Sequence, residues 1–216
     1  MYDIHNHILL TGDSKGLQRF GIEAIGVAMS DSYDFKLYGE LREKSEIEAF
    51  SVLEIHASNA GQVKNGVAKY RDRVDMIIVH AKDQAATRAA AEHKGVDVIA
   101  HAFLDQISAR EAGKNNVAIE VNLKDLLGLS GMRRAIWISK LNFNLELARK
   151  YKVPLVVTTG AWNTYDLRSP RQIQALAEVI GLNKAEAKRA IFGEPRAILK
   201  RSREKKTAQK GVKIVK

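Results

Sequence analysis

The chain has 216 residues, 45% of them hydrophobic and 28% charged, which suffices for one large globular domain and excludes a mainly disordered chain. It has no cysteine, so a disulfide scaffold, a thiolate zinc site, an iron–sulfur cluster and a cysteine nucleophile are excluded together. The net charge is +10 and unevenly spread: residues 200–216 carry eight basic side chains against Glu204 alone, a net +7.

Taken in chain order, short apolar, β-branched runs fall at 2–7, 24–29, 50–56, 75–80, 96–101, 117–122 and 155–159. Helices are expected at 14–20, 35–44, 83–93, 106–112 and 133–151, and then at 170–180, 184–191 and 195–200. Asp83 caps the third of these, Ser169-Pro170 opens the sixth, Gly181 closes it, and Asn183 caps the next. Strands alternating with helices predict a parallel sheet, and seven units predict an α/β fold. Such repeated units either open into a doubly wound sheet or close into a barrel, and seven of them read as a compact, slightly short relative of the TIM-like βα barrel with extra C-terminal helices. Residues 1–200 are expected to be the barrel domain and 201–216 a basic, disordered tail. The apolar runs are too short to span a bilayer and the N-terminus lacks a signal-peptide pattern, so a soluble, cytoplasmic protein is expected.

Most of the runs finish in a polar or imidazole residue. The first ends in His5-Asn6-His7, the second in Ser30-Asp31, the fourth in His80 and the fifth in His101. The third carries Glu54 and His56, the sixth Glu120 and Asn122, and the seventh ends in Thr158-Thr159-Gly160. Five of the six histidines therefore lie at strand ends, and only His93 falls in a helical stretch. In a βα barrel those ends share one face, where sites are built. His5 and His7, two apart on a strand, point to the same side. Imidazoles and carboxylates on one rim are metal-ligand chemistry. The alternatives are hydrogen-bonded buried imidazoles and a rim that holds phosphate or RNA without chemistry.

The basic tail points to a polyanion, RNA or DNA before an anionic membrane, or else to a solubilising end. RNA affinity needs Lys and Arg against phosphates. The body offers Arg71, Arg88, Arg110, Lys124, Arg168 and Arg171, and the tail Lys205 and Lys206. Arg168 and Arg171 flank a helix start, where free backbone N–H groups also favour phosphate. Each has the plainer reading of a surface ion pair or a solvated side chain. Trp137 and Phe143, on the long helix, read as core or partner surface rather than as a base-stacking platform, and Trp162 and Tyr165 as rim.

Asp3-Ile4-His5-Asn6-His7 resembles the opening D-x-H-x-H of the polymerase-and-histidinol-phosphatase (PHP) family. That resemblance implies a distorted seven-stranded βα barrel and a multinuclear metal site for phosphoester hydrolysis. It maps ligands onto His5 and His7, with Glu54, His80 and His101 as mid-chain counterparts. The D-x-H of that family's last strand has no equivalent in Val157-Thr158-Thr159-Gly160-Ala161.

A second resemblance covers most of the chain. Ile119-Glu120-Val121-Asn122-Leu123, Thr158-Thr159-Gly160-Ala161 and Leu167-Arg168-Ser169-Pro170 are similar to the p30 family of ribonuclease P protein subunits. It implies a PHP-like barrel that has lost hydrolase activity. It also implies a subunit of the ribonucleoprotein endoribonuclease that removes the 5′ leader of precursor tRNA. There the RNA is the catalyst with its own Mg2+, and the isolated chain is inactive and needs no cofactor. The implied partners are ribonuclease P RNA, a small RRM-like protein subunit, other ribonuclease P proteins and, through the complex, precursor tRNA. A vestigial metal could remain at His5, His7, His80 and His101. Two alternatives stand beside it: a metal-dependent phosphoesterase using His5, His7 and other strand-end residues, and a structural scaffold with an incidental basic tail.

Overall fold

The structure, a computed structural model, describes residues 1–11, 17–30 and 33–209. Seven strands follow in chain order: β1 (Tyr2–Asn6), β2 (Ala24–Ser30), β3 (Glu48–Ala57), β4 (Met76–Ala81), β5 (Val98–Ala100), β6 (Ala118–Asn122) and β7 (Leu155–Thr158). All six pairings are parallel and the strand order is sequential, so each strand is hydrogen-bonded to the one before it. The runs read from sequence are therefore the strands, as expected for a sheet buried on both faces, which gives continuous apolar runs rather than alternation.

Among the described residues β1 and β7 share no strand ladder. The seam is instead closed by side chains. Asn6 Nδ2 donates to Asp3 at 2.9 Å and to Thr159 Oγ1 at 3.1 Å, and the Thr159 hydroxyl donates to Asp3. One backbone bond, His7 N–H to the Ala161 carbonyl at 2.8 Å, crosses beside them. The result is a nearly closed barrel.

Helices α1 (Phe35–Lys44), α2 (Ala60–Tyr70), α3 (Gln84–Glu92), α4 (Gln106–Asn115), α5 (Leu123–Gly128) and α6 (Gly131–Tyr151) lie between the strands. After β7 come α7 (Pro170–Val179), α8 (Lys184–Lys188) and α9 (Glu194–Gln209), with a π-helical turn at Arg189–Gly193. The predicted caps are in place: Asp83 accepts from Ala86 N, Ser169 and Asn183 each complete a capping box, and Gly181 sits at φ +108°. Of the expected helix at 14–20, residues 17–20 form a 3-10 turn and the remainder lies outside the described residues, as does Asp31.

Helix α2 is not anticipated by the sequence reading. Gly61 and Gly66 lower its propensity, but Asn59 caps it and Val63, Val67 and Tyr70 bury one face. Gly66 lets the helix lie close to β3: a Cβ there would come within 2.7 Å of the Ile55 side chain, which would have to shift.

Two apolar layers result. One lies between sheet and helices. The other fills the barrel interior with Ile4, Phe50, Val52, Met76, Ile78 and Val98, among others, and includes Ile198 and Leu199 of α9. The last helix thus plugs the barrel at the N-terminal ends of the strands. It also runs well past the expected end at residue 200, which corrects the domain boundary. Ser202 is fully buried, and Arg203, Lys205 and Lys206 pair with Glu48, Asp97 and Asp75 respectively. Residues 201–209, assigned to a disordered tail, are helix, in which Arg203, Lys205 and Lys206 are held by carboxylates of the barrel, while 210–216 lie outside the described residues.

Candidate functional site at the barrel rim

The C-terminal ends of β1, β3, β4 and β6 bring His5, Glu54, His80 and Glu120 together. His5 lies between two carboxylates, with Nε2 2.7 Å from Glu54 Oε1 and Nδ1 2.6 Å from Glu120 Oε1. His80 Nε2 reaches the same Glu54 oxygen at 2.9 Å, and His7 Nε2 stands 3.6 Å from it. Thr158 donates to Glu120 at 2.5 Å.

His5, Glu54 and Glu120 are buried. Burial opposes the charge on His5, but Glu120 and Glu54 outweigh it and hold the imidazole well above its usual range. Burial likewise disfavours both carboxylates, yet the hydrogen bonds and charge of His5 keep Glu54 and Glu120 below theirs. The trio is therefore mutually paired through His5, with Glu120 Oε2 left without a hydrogen-bond partner. His7 differs: burial lowers it to about 4, its Nδ1 lies 3.2 Å from the Ala28 carbonyl oxygen, and its ring stacks on Trp162 at 4.3 Å.

His5, Glu54 and His80 present three ligand-type atoms within 4.8 Å of one another, which is the size of a site for one cation. His101 is turned elsewhere: it is half exposed and its Nε2 lies 2.7 Å from Asp125, which raises its pKa. On the last strand Thr158 and Thr159 bond Glu120 and Asp3, and neither is a strong metal ligand.

The basic residues singled out from sequence do not form one patch. Arg71 is buried, and its guanidinium is taken up by Asp97, Ser202 and the carbonyls of Val74, Asp75 and Gly95. No phosphate reaches it, which corrects its reading as an RNA contact. Lys205 and Lys206 lie at the opposite end of the barrel from the rim, paired with Asp97 and Asp75. Arg88 pairs with Asp105, Arg110 with Glu111 at 3.7 Å, and Lys124 with Asp166 at 3.0 Å. Arg168 donates to the carbonyls of Tyr165 and Leu167, both at 2.6 Å. Arg171 is exposed, one residue into α7.

Sequence reasoning missed the seam and the His101–Asp125 pair. Asp3 reads as the first letter of a metal motif but serves as a fastener to Thr159. The pairing of Asp125 carried no sequence signal, because it depends on where α5 is placed.

Fold and rim together define a nearly closed, TIM-like βα barrel whose last strand adds no strong metal ligand to the rim among the described residues. Residues 16–207 match the family model described as RNase P subunit p30, and the chain belongs to that family. It is 41% identical to Ribonuclease P protein component 3 of Methanosarcina mazei over 82% of this chain and 78% of that one. To the protein of the same name from Methanococcoides burtonii it is 33% identical, over 99% and 93% of the two chains. A chain of a cryo-EM structure of archaeal Ribonuclease P with mature tRNA has the same fold, with a TM-score of 0.77 at 22% identity over 100% of this chain and 94% of that one. An organophosphorus hydrolase from Deinococcus radiodurans shares the barrel more distantly, with a TM-score of 0.58 at 13% identity over 88% and 83%. The chain is a protein subunit of ribonuclease P.

Proposed function

We propose that the chain serves ribonuclease P by binding and stabilising its RNA, and that the RNA, with its own Mg2+, cleaves the 5′ leader from precursor tRNA. In this reading the isolated chain is inactive, works in the cytoplasm, and assembles with a small RRM-like subunit and other ribonuclease P proteins. The single observation that carries it is the rim. His5 is fixed between Glu54 and Glu120, and the last strand offers two threonines in place of ligands. A multinuclear metal hydrolase needs ligands converging from several strands. This rim gathers three such groups, enough for one cation, and its last strand adds no strong ligand.

A divalent ion that entered would be held by His5, Glu54 and His80, where it would polarise a phosphoester oxygen. The chain's own residues then do the rest of what the rim does: Glu120 orients His5, and Trp162 covers His7. The phosphoesterase alternative has no further observation in its favour.

The test is reconstitution. Leaving the chain out of the assembled enzyme is expected to lower precursor-tRNA cleavage. His80→Gln, which spares the His5–glutamate pairs, is expected to leave cleavage within about twofold of wild type. A loss of a hundredfold or more, of the size expected for removing an acid–base or ligand group, would return the chemistry to the rim.

A further inference from the structure

Helix α9, at the closed end of the barrel, has two faces of different chemistry. Ile198, Leu199 and Ser202 are buried against the strands, which turns Arg196, Lys200 and Arg203 outward as one exposed stripe, four and three residues apart. From Arg196 to Lys206 the helix carries six cations, and its only acids are Glu194 and Glu204, so its net charge is +4. Beyond it the sequence adds Lys210, Lys213 and Lys216 and no further acid.

The surroundings do not cancel that charge. The loops of the closed end, 21–23, 45–47, 71–75, 93–97 and 152–154, hold four cations, and with Glu48 six acids, so this end stays at +2 even without the last three lysines. The rim has no such excess. Among the described residues its loops carry Asp83, Asp105 and Asp166 against Lys82 and Arg168, with Glu54 and Glu120 behind them. A polyanion is therefore drawn to the closed end and not to the face where βα barrels build their sites.

The outward cations are open to exchange. Lys200 has no ion pair among the described residues, and Arg201 Nη2 has no hydrogen-bond partner, lying 3.8 Å from a Glu194 already taken at 2.6 Å by Arg189. The pairs Arg196–Glu23 and Arg203–Glu48 are about half exposed on both sides. Such pairs contribute little, so a phosphate can replace the carboxylate at small cost. The absence of apolar anchors then selects the partner. None of the large exposed apolar side chains among the described residues lies on α9. A protein interface would want them at its centre, a membrane would want them to insert, and a stacked base would want an aromatic ring. A sugar–phosphate backbone needs only the cations.

We propose that the outward stripe of α9, Arg196, Lys200 and Arg203, binds sugar–phosphate backbone, so that the chain meets its RNA with the closed end of the barrel. The proposal rests on the RNA-binding reading above and gives it a face. Arg171 belongs to the same end, since Pro170 beside it packs on Gly21, whose carbonyl accepts from the Met1 ammonium.

Affinity of the full-length chain for folded ribonuclease P RNA is measured between about 50 and 200 mM salt. The triple variant Arg196→Gln, Lys200→Gln, Arg203→Gln is expected to lower the salt slope by about two to three. The control Lys82→Gln, Arg133→Gln, Lys140→Gln removes the same charge from exposed positions on the rim side and is expected to change the slope by less than about 0.5. Lys200→Gln alone breaks no ion pair, so it decides the matter should the triple variant not fold, with a fall in slope of about one. The chain has no cysteine, so Glu204→Cys or Ser58→Cys places a single tethered iron–EDTA group. Hydroxyl-radical cuts in the RNA are expected from position 204, on the outward side of α9, and not from 58, just past β3 at the rim. An unchanged slope in the α9 variants, equal falls in both triple variants, or cuts from 58 with none from 204 overturns the proposal. If wild type binds the RNA while these results fail, the face alone is wrong; if wild type does not bind it, the RNA-binding reading itself falls.

Discussion

Replacing Arg71 with Met removes a guanidinium that makes five hydrogen bonds at the closed end of the barrel, with Asp97 nearest at 2.5 Å. Arg71 is 3% exposed and Asp97 2%, so the change leaves a carboxylate buried away from water. Breaking such a pair from one side costs about 3–5 kcal/mol. Ser202 at 2.8 Å and Lys205 at 3.1 Å remain as partners of Asp97, which places the expected loss near the lower end, about 3 kcal/mol. That is a large part of the 5–15 kcal/mol typical of a domain. Urea denaturation should show it as a lower midpoint at an unchanged slope. The double change Arg71→Met with Asp97→Asn should recover part of the loss, because the stranded charge goes with its partner. RNA affinity measured where the variant is fully folded should equal that of wild type. A loss below about 1 kcal/mol, or a folded variant with weakened RNA binding, would refute the assignment of Arg71 to the barrel's closure.

Three further outcomes are expected. Arg171→Ala, at an exposed position with no ion pair among the described residues, should leave stability unchanged and reduce the salt slope of RNA binding by about one; an unchanged slope removes Arg171 from the interface. Burial works against the ionisation of Asp105, but Ser108 N–H and Arg88 hold its pKa at about 2, so it stabilises the fold above about pH 4 and loses that contribution as the pH falls through about 2. Asp105→Asn should therefore flatten the acid limb of the stability curve, and identical limbs would refute the role of Asp105 as N-cap of α4, where its side chain accepts from Ser108 N–H. Gly113→Ala should destabilise by about 1–3 kcal/mol or more in urea, since its Cβ would run into the Tyr151 carbonyl at the end of α6; a neutral result would mean that α4 and α6 are free to part.

The strands were legible because each is buried on both faces and reads as a β-branched run, and the rim because polar residues recur where those runs stop. What escaped is what depends on distance in sequence. Arg71 looks like any surface arginine until Asp97 and Ser202, 26 and 131 residues away, are placed beside it. The charge run after residue 200 masks Ile198, Leu199 and Ser202, whose burial extends α9 and turns apparent tail lysines into ion pairs. Helix α2 was hidden by two glycines that lower helix propensity, of which Gly66 packs closely against Ile55 of β3. His5 was read as a ligand, and its place between Glu54 and Glu120 needed three strands in register.

The sequential strand order means that during synthesis each strand finds its partner already in place, and the growing sheet has an edge at β1 and another that advances with the chain. The seam cannot shut until Thr159 has emerged to meet Asp3 and Asn6, some three quarters of the way along. Until then the side chains that will become the barrel's interior face the solvent, and β1 is an unpaired edge open to a neighbouring nascent chain. Closure by a few threonine, asparagine and aspartate bonds, followed by the α9 plug, makes barrel completion a late and local event. A ribosome stalled before residue 159 would expose an open, aggregation-prone sheet, and one stalled soon after it a barrel still lacking α7, α8 and the α9 plug.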